Sequence, residues 1–562
     1  MSLYTTSSVQ RALAIPELLS SICQLLGPKD ILSNACVCKT WSNVALDVLW
    51  KEVDDIHNLL SLLAPLKQKA GQGYLQAFSR SIEPEDWKRF TRYAGRIRAL
   101  VHNREKSKSR TVTPNVFHEV SRTRISLNIL PVLHTLEWSR SIDLNFSVLF
   151  MHKTVKRFKF FLREEMVTPP NGLAAFFQAV TTRMPDLEVL DISSVQSVSD
   201  IEADMIKLLS GLPKLKEVIL PLYYVSPNIS ETLSRLPNLN VLGFQYDDEQ
   251  GRGDSQDVAL PPATLGEGAF PALYDLALSM PFVHASELFD QPFSPQNITM
   301  LFIDSALPES PSDIHNLLSV IVKNCPLLIN LSLNPHLSTT DNPPTDERLA
   351  YANLRPVLTL PNLTSFDINH YYPIDLKYKD MEELARAWPN LETLMLNSDP
   401  VALDHPPALS IAALIPFAEH CPNIRQLGLY MNAAEEDLPS SRDLVPFKCL
   451  ETLSVGLSHI TDHENVALFL SHLIPSECEL ECGGTWRILD WESSSPASEY
   501  GIIHQAWSMV GSVLPLLHKV RMQERKRYEE AKSELNSSPS PKDDPLPVSQ
   551  TPISISDAVP TP

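Results

Sequence analysis

Pro185-Asp186-Leu187-Glu188-Val189-Leu190-Asp191-Ile192 is the phrase on which most of this chain is built. It returns at Pro213–Leu220, Pro237–Phe244, Pro271–Leu278, Pro326–Leu333, Pro361–Ile368, Pro389–Leu396 and Pro422–Leu429. Copies without the proline stand at Ile298–Ile303 and Leu450–Val455, and weaker ones at Leu133–Trp138 and Val155–Phe160. The period wanders between about 22 and 35 residues, at or slightly above the range of short strand-helix repeats. Aligned copies keep two apolar columns, one through Leu190, Val218 and Leu301, the other through Ile192, Leu220, Phe244 and Ile303. Two apolar columns spaced by two residues mark one buried face of a β-strand.

The spacers read as amphipathic helices: Leu173 to Val180, Ile201 to Leu209, Ile314 to Val322, Met381 to Trp388 and Ile411 to Ala418. Asp313 and Ser410 are candidate caps. Strand, loop and helix repeated with parallel strands predict a curved solenoid. Residues directly after the second column, among them Ser193, Gln245, Ser279, Asp304, Asn334, Asn369, Asn397 and Tyr430, should alternate onto the concave face. That column is rich in amides and lacks cations, which suits hydrogen bonding to a polypeptide. Tyr246, Tyr371 and Tyr372 add candidate aromatic anchors. The expected target-binding set is therefore Gln245, Tyr246, Asp304, Asn334, Asn369, Tyr371, Asn397 and Tyr430.

The phrase resembles the irregular leucine-rich repeats of F-box proteins, of the kind common in fungi, over roughly Leu130 to Val455. Regular repeats of that family place Asn two residues beyond the second column. Here only Asn432 does so, which implies differently stabilised turns and an irregular arc.

Upstream, apolar residues from Ile15 to Trp50 recur at helical spacing. Pro16 and Glu17 suit a first helical turn, Gly27-Pro28 stops that helix, and Asp30 can cap the next. Three such short helices form too small a core to stand alone, so part of their apolar surface should be covered by a partner or by the next domain. The run Ile15-Pro16, Leu18-Leu19, Ile22, Leu26, Ile31, Val37-Cys38, Trp41 and Leu49-Trp50 resembles an F-box. The resemblance implies that these residues grip a Skp-type adaptor and, through it, a cullin–RING ubiquitin ligase. Cys23 replaces the Phe common in the motif, a loss of volume that implies weaker docking. Cys36 and Cys38 have no further ligands nearby except His57, too few for zinc, and no base that would make a nucleophile. They are expected as buried thiols on a helix.

The remaining signals point away from chemistry. The formal net charge of -20 over 562 residues opposes binding to nucleic acid, with Lys88 to Arg110 the one basic stretch, read as a solvated helix face and a loop. The 8 cysteines are scattered rather than framed for disulfides, and no apolar run is long enough for a bilayer. With no leader signal at the N-terminus, the cytoplasm or nucleus is expected. His463, His472, Cys478 and Cys482 fit no common zinc spacing, and Gly251-Arg252-Gly253-Asp254 lacks a phosphate-loop context. No cofactor, metal or catalytic residue is expected.

The expected organisation is a flexible start (1–12), an F-box (13–55), a helical linker (56–128), an α/β solenoid (129–485), a helical cap (486–535) and a disordered Ser/Pro-rich tail (536–562) with four Ser/Thr-Pro steps. In the cap, Pro515 is expected to kink or break a helix between Ile502 and Val520. The function implied is the target-receptor subunit of a ubiquitin ligase. The alternative is a scaffold or regulator that binds the adaptor outside a ligase.

Overall fold

A computed structural model describes residues 15–537 except 69–74, 102–110, 139–141, 165–171, 246–249, 336–346, 404–406, 435–437, 440–443 and 484–498. Tyr246, the start of the chain and the tail's Ser/Thr-Pro steps lie outside the described residues.

Helices α1 (Pro16–Gln24), α2 (Pro28–Ala35) and α3 (Lys39–Leu49) open the chain. Proline at the first turn of α1 and α2 sets each start, where its missing N–H leaves no intrahelical bond unmade. A 15-stranded parallel sheet follows, its strands in sequence order. They are β1 (Glu52–Val53), β2 (Ala99–Val101), β3 (Thr135–Trp138), β4 (Arg157–Leu162), β5 (Val189–Ser194), β6 (Glu217–Ile219), β7 (Val241–Gly243) and β8 (Asp275–Ser279). The row continues with β9 (Met300–Asp304), β10 (Asn330–Asn334), β11 (Ser365–Ile368), β12 (Thr393–Leu396), β13 (Gln426–Leu429), β14 (Thr452–Gly456) and β15 (Glu479–Cys482). Every copy of the repeat phrase is one of these strands.

The first apolar column is in perfect register: Leu242 pairs with Leu276, Leu276 with Leu301, Leu301 with Leu331, and so on to Leu453 with Leu480. These side chains are buried beneath helices such as Gly172–Arg183, Pro311–Asn324 and Tyr378–Ala387, which pack beside one another in a layer. One continuous apolar core therefore runs from Val53 to Leu514. Each repeat contributes a slice that only its neighbours can cover.

Four features differ from the expectations above. The sheet begins at Glu52, and β2 lies inside the stretch expected as a helical linker, beside a separate three-stranded sheet (Leu66–Gln68, Leu75–Phe78, Thr111–Val112). Val53 and Leu100 hold the first apolar column there, but Asp55 and His102 stand where the second would be, so the sequence shows no alternation. Helix Pro311–Asn324 is capped by Ser310, whose hydroxyl accepts from the Asp313 N–H at 3.1 Å, and Ser410 makes no cap bond. The helix Glu499–Ser537 runs unbroken through Pro515. Trp507, Val510 and Leu514 before the proline, and Leu517 after it, pack on the solenoid and hold both halves in line. Lastly, Phe244 is outside the core, because the ladder ends at Gly243 and the chain turns, bringing its ring to 5.5 Å from that of Phe302.

Candidate functional site

The three N-terminal helices bury little of their own. Cys23, Ile31 and Ala45 form a miniature core, with Leu26, Ala35, Val48 and Leu49 packed around it, and Leu19 and Val44 are buried as well. Leu19 and Ile31 are thus buried within the free module, and Leu26 and Leu49 are partly buried against its core. Cys23 is buried too, so its small size is accommodated inside the module.

What remains outward is apolar. Ile15, Leu18, Ile22 and Leu32 are exposed, Val37 is 62% exposed and Leu25 88%. Pro16 is exposed too, and Trp41 is half-buried. Aliphatic side chains gathered on one small module mark an interaction site, since single exposed residues are ordinary but contiguous patches are not.

Cys36 and Cys38 correct the expectation of buried thiols, for both are exposed. They flank Val37 at the corner between α2 and α3: Cys36 ends one helix, and extended Cys38 precedes the next. Mild alkylation of the native chain is expected to label Cys36, Cys38 and Cys449 quickly. Buried Cys325 and Cys421, whose thiols burial pushes up to about 12, should react only after denaturation. Mass spectrometry of digests at successive times checks the order.

The module is sutured to the sheet. Arg96 donates to the Asn43 carbonyl at 2.9 Å and ion-pairs with Asp47 on α3. The N–H groups of Arg98 and Ala99 donate to the Lys51 carbonyl, and β1 pairs with β2. Trp50 packs its ring 4.9 Å from Tyr93, so this tryptophan braces the module against the first repeat. The basic stretch beginning at Lys88 is partly spent here, and Arg89 donates to the Leu62 carbonyl.

The column expected on the concave face proves to be mostly a loop-supporting row. Asn397 is 1% exposed; it accepts from the His370 N–H and donates to the Tyr372 carbonyl. Ser279 accepts from the Tyr223 N–H, and Ser458 accepts from the Met431 N–H. Asn397 and Ser458 satisfy backbone groups of the preceding repeat's turn, and Ser279 satisfies one in the turn after β6, two strands back, work that regular repeats give to an asparagine ladder. Asp304 and Tyr430 are likewise buried. Asn334 donates to Asp304 at 2.9 Å and Asn369 to Asn334 at 3.3 Å, forming a chain across β9, β10 and the end of β11. Asn334, Asn369 and Tyr371 are half-buried, and Gln245 is exposed. Asp304, Asn397 and Tyr430 are therefore corrected from target-facing to structural. The error is one of position: these residues sit at the strand ends, where loops close over them.

The open face is lined instead by residues between the apolar columns: Lys159, Asp191, Ile219 and Gly243 pair strand to strand, and so do Ala277, Phe302, Ser332, Asp367 and Met395. Alternation could have found them, since the residue between two core positions must point the other way. Lys159 ion-pairs with Asp191 at 3.1 Å. Asp367 accepts from the Ser332 hydroxyl at 3.0 Å, yet burial pushes its carboxyl up to about 6. The folded chain then holds this proton more tightly than the unfolded chain, so stability falls as pH rises from the ordinary carboxylate range through about 6. Asp367→Asn is expected to add about 1–2 kcal/mol near pH 7.5 and less than half of that near pH 4.5. Urea midpoints at the two pH values test this.

Among the described residues, no three His, Cys, Asp or Glu side chains gather as metal ligands, and no helix is long and apolar enough to cross a membrane.

A small three-helix module stitched to a parallel-sheet solenoid is the architecture that the fold defines. Residues 16–55 match the F-box-like family model. Among solved structures, the chain is similar to a protein in "Crystal structure of Rad7 and Elc1 complex in yeast". That likeness has 15% identity, a TM-score of 0.34, and covers 64% of this chain and 80% of that one. No curated protein matches the chain.

Proposed function

We propose that this chain is a non-catalytic target receptor of a cullin–RING ubiquitin ligase. The outward apolar face of the F-box-like module docks a Skp-type adaptor, and the open face of the sheet holds a protein target. The observation that carries this reading is the division of labour within residues 15–50. Leu19, Cys23, Ile31 and Ala45 close the module, while Ile15, Leu18, Ile22, Leu25, Leu32 and Val37 stay outside it. Covering such a face with a partner releases water from aliphatic surface. Pro16, Cys38 and Trp41 lie at its margin.

The work of such a receptor is proximity: a target lysine held beside an activated ubiquitin thioester reacts as though at very high concentration. No nucleophile or metal in this chain is needed for that, and the reading places the protein in the cytoplasm or nucleus. Co-purification of the tagged full chain tests it. Adaptor and cullin retained together support a ligase receptor; adaptor without cullin supports a scaffold outside the ligase; neither one rejects docking altogether.

A further inference from the structure

The sheet stops at β15 with an open edge. The N–H groups of Glu479 and Gly483 donate back to the carbonyls of Glu451 and Gly456, at the two ends of β14. Alternation along the strand therefore turns the N–H and C=O groups of Leu480 and Cys482 away from β14. Among the described residues no strand lies beyond β15, and no hydrogen bond reaches those backbone groups. Such an edge is a template for another strand.

The core is uncovered at the same place. Leu427 and Leu453, the preceding members of the first apolar column, are 0% exposed, whereas Leu480 is only half-buried. Beside it a cavity of about 420 Å³ opens between β15 and the helix Glu499–Ser537. Cys478, Leu480 and Cys482 wall it on the strand side, and Trp507, Gly511 and Leu514 on the helix side. Gly511 keeps the space clear: a Cβ there would meet only the Leu480 Cδ2 atom, at 3.9 Å. Helix interiors disfavour glycine, so its place here marks room rather than helix formation. On the opposite face of the strand Glu479 and Glu481 are exposed, and among the described residues neither has an ion-pair partner.

We propose that this edge takes up an extended segment of the target protein as a further strand of the sheet. The segment's backbone pairs with the outward groups of Leu480 and Cys482. Its side chain in register with Leu480 is apolar and enters the cavity, while those in register with Glu479 and Glu481 are basic and lie on the open face. Backbone pairing, cavity and charge thus specify one ligand, a strand of alternating apolar and basic residues. The proposal deepens the receptor reading and rests on it.

The test uses the purified full chain and a blocked, fluorescein-tagged heptapeptide of alternating lysine and valine. Three relatives accompany it: one with glutamate for lysine, one N-methylated at the valines and one N-methylated at the lysines. The added strand pairs along one edge only. One methylated peptide is therefore expected to match the unmodified peptide and the other to bind at least about tenfold weaker, as should the glutamate peptide. Gly511→Phe fills the cavity, and Cys482→Pro removes an outward N–H that an edge strand can spare; each should weaken the unmodified peptide several-fold. Both variants must keep the parent melting temperature and adaptor co-purification; Gly511→Met serves in place of either one that melts early. Equal binding of the two methylated peptides, no binding of any peptide, or binding unchanged by the variants overturns the proposal. So does sedimentation of the parent chain as a dimer that Cys482→Pro dissolves, which assigns the edge to a second copy. Those results leave adaptor docking intact, whereas loss of adaptor and cullin from the parent chain with the peptide preference preserved rejects the receptor reading alone.

Discussion

Replacing Leu18, Ile22 and Val37 together by aspartate is expected to weaken adaptor binding at least about 100-fold, or about 2.8 kcal/mol. Each side chain is roughly half exposed in the free chain, so covering the remainder contributes on the order of 1 kcal/mol apiece. Burying three carboxylates against an apolar partner adds a further penalty. None of the three belongs to the module's miniature core of Cys23, Ile31 and Ala45, so the substitution should leave the fold unchanged. Ile31→Asp is the informative contrast. It also abolishes binding, but by unfolding the three helices, and circular dichroism separates the two. Titration of adaptor into the full-length chain, followed by calorimetry, checks the magnitude.

Trp507→Ala carries the second large effect, a loss of about 3–5 kcal/mol of stability. Its side chain is 0% exposed, and its indole N–H donates to the Ser458 carbonyl at 2.7 Å. The helix Glu499–Ser537 lies against helix His463–Leu473 and strand β15, covering the last slice of core. A solenoid without such a cover exposes its core to water. Removing the indole opens a cavity beneath the cap and leaves a carbonyl without its donor. The variant should therefore be cut by protease within the C-terminal helix at concentrations the parent chain survives. Met509→Ala, on an exposed side of the same helix, is expected to change stability by no more than about 0.5 kcal/mol.

The strands were legible in sequence because burial on one face forces a period of two, and that period survives substitution of Leu by Val, Ile or Phe. Strands β1, β2 and β15 escaped because they carry no proline phrase and because Asp55, His102 and Cys482 stand where the second apolar column would be. In β15 the slot two residues after Leu480 is taken by Cys482, a thiol standing where the second apolar column stands elsewhere. The helical module was legible as a whole, but the division of its residues into inward and outward sets was not. Leu18 and Leu19 are adjacent leucines on one helix, and only the packing of α2 and α3 decides that Leu19 is buried and Leu18 is not. The row ending in Asn397 misled for a related reason. Alternation sends a side chain off the core, but it does not say whether a loop will fold over it. A polar residue buried at a strand end is there to satisfy backbone groups that water no longer reaches.

Amide hydrogen exchange on the full-length chain, with and without a Skp-type adaptor, tests the division between docking module and open sheet most directly. The expected result is slowed exchange confined to α1, α2 and the Cys36–Cys38 corner, with the sheet from β3 to β14 unchanged. Unchanged exchange in the module, or protection that falls on the sheet instead, would contradict it.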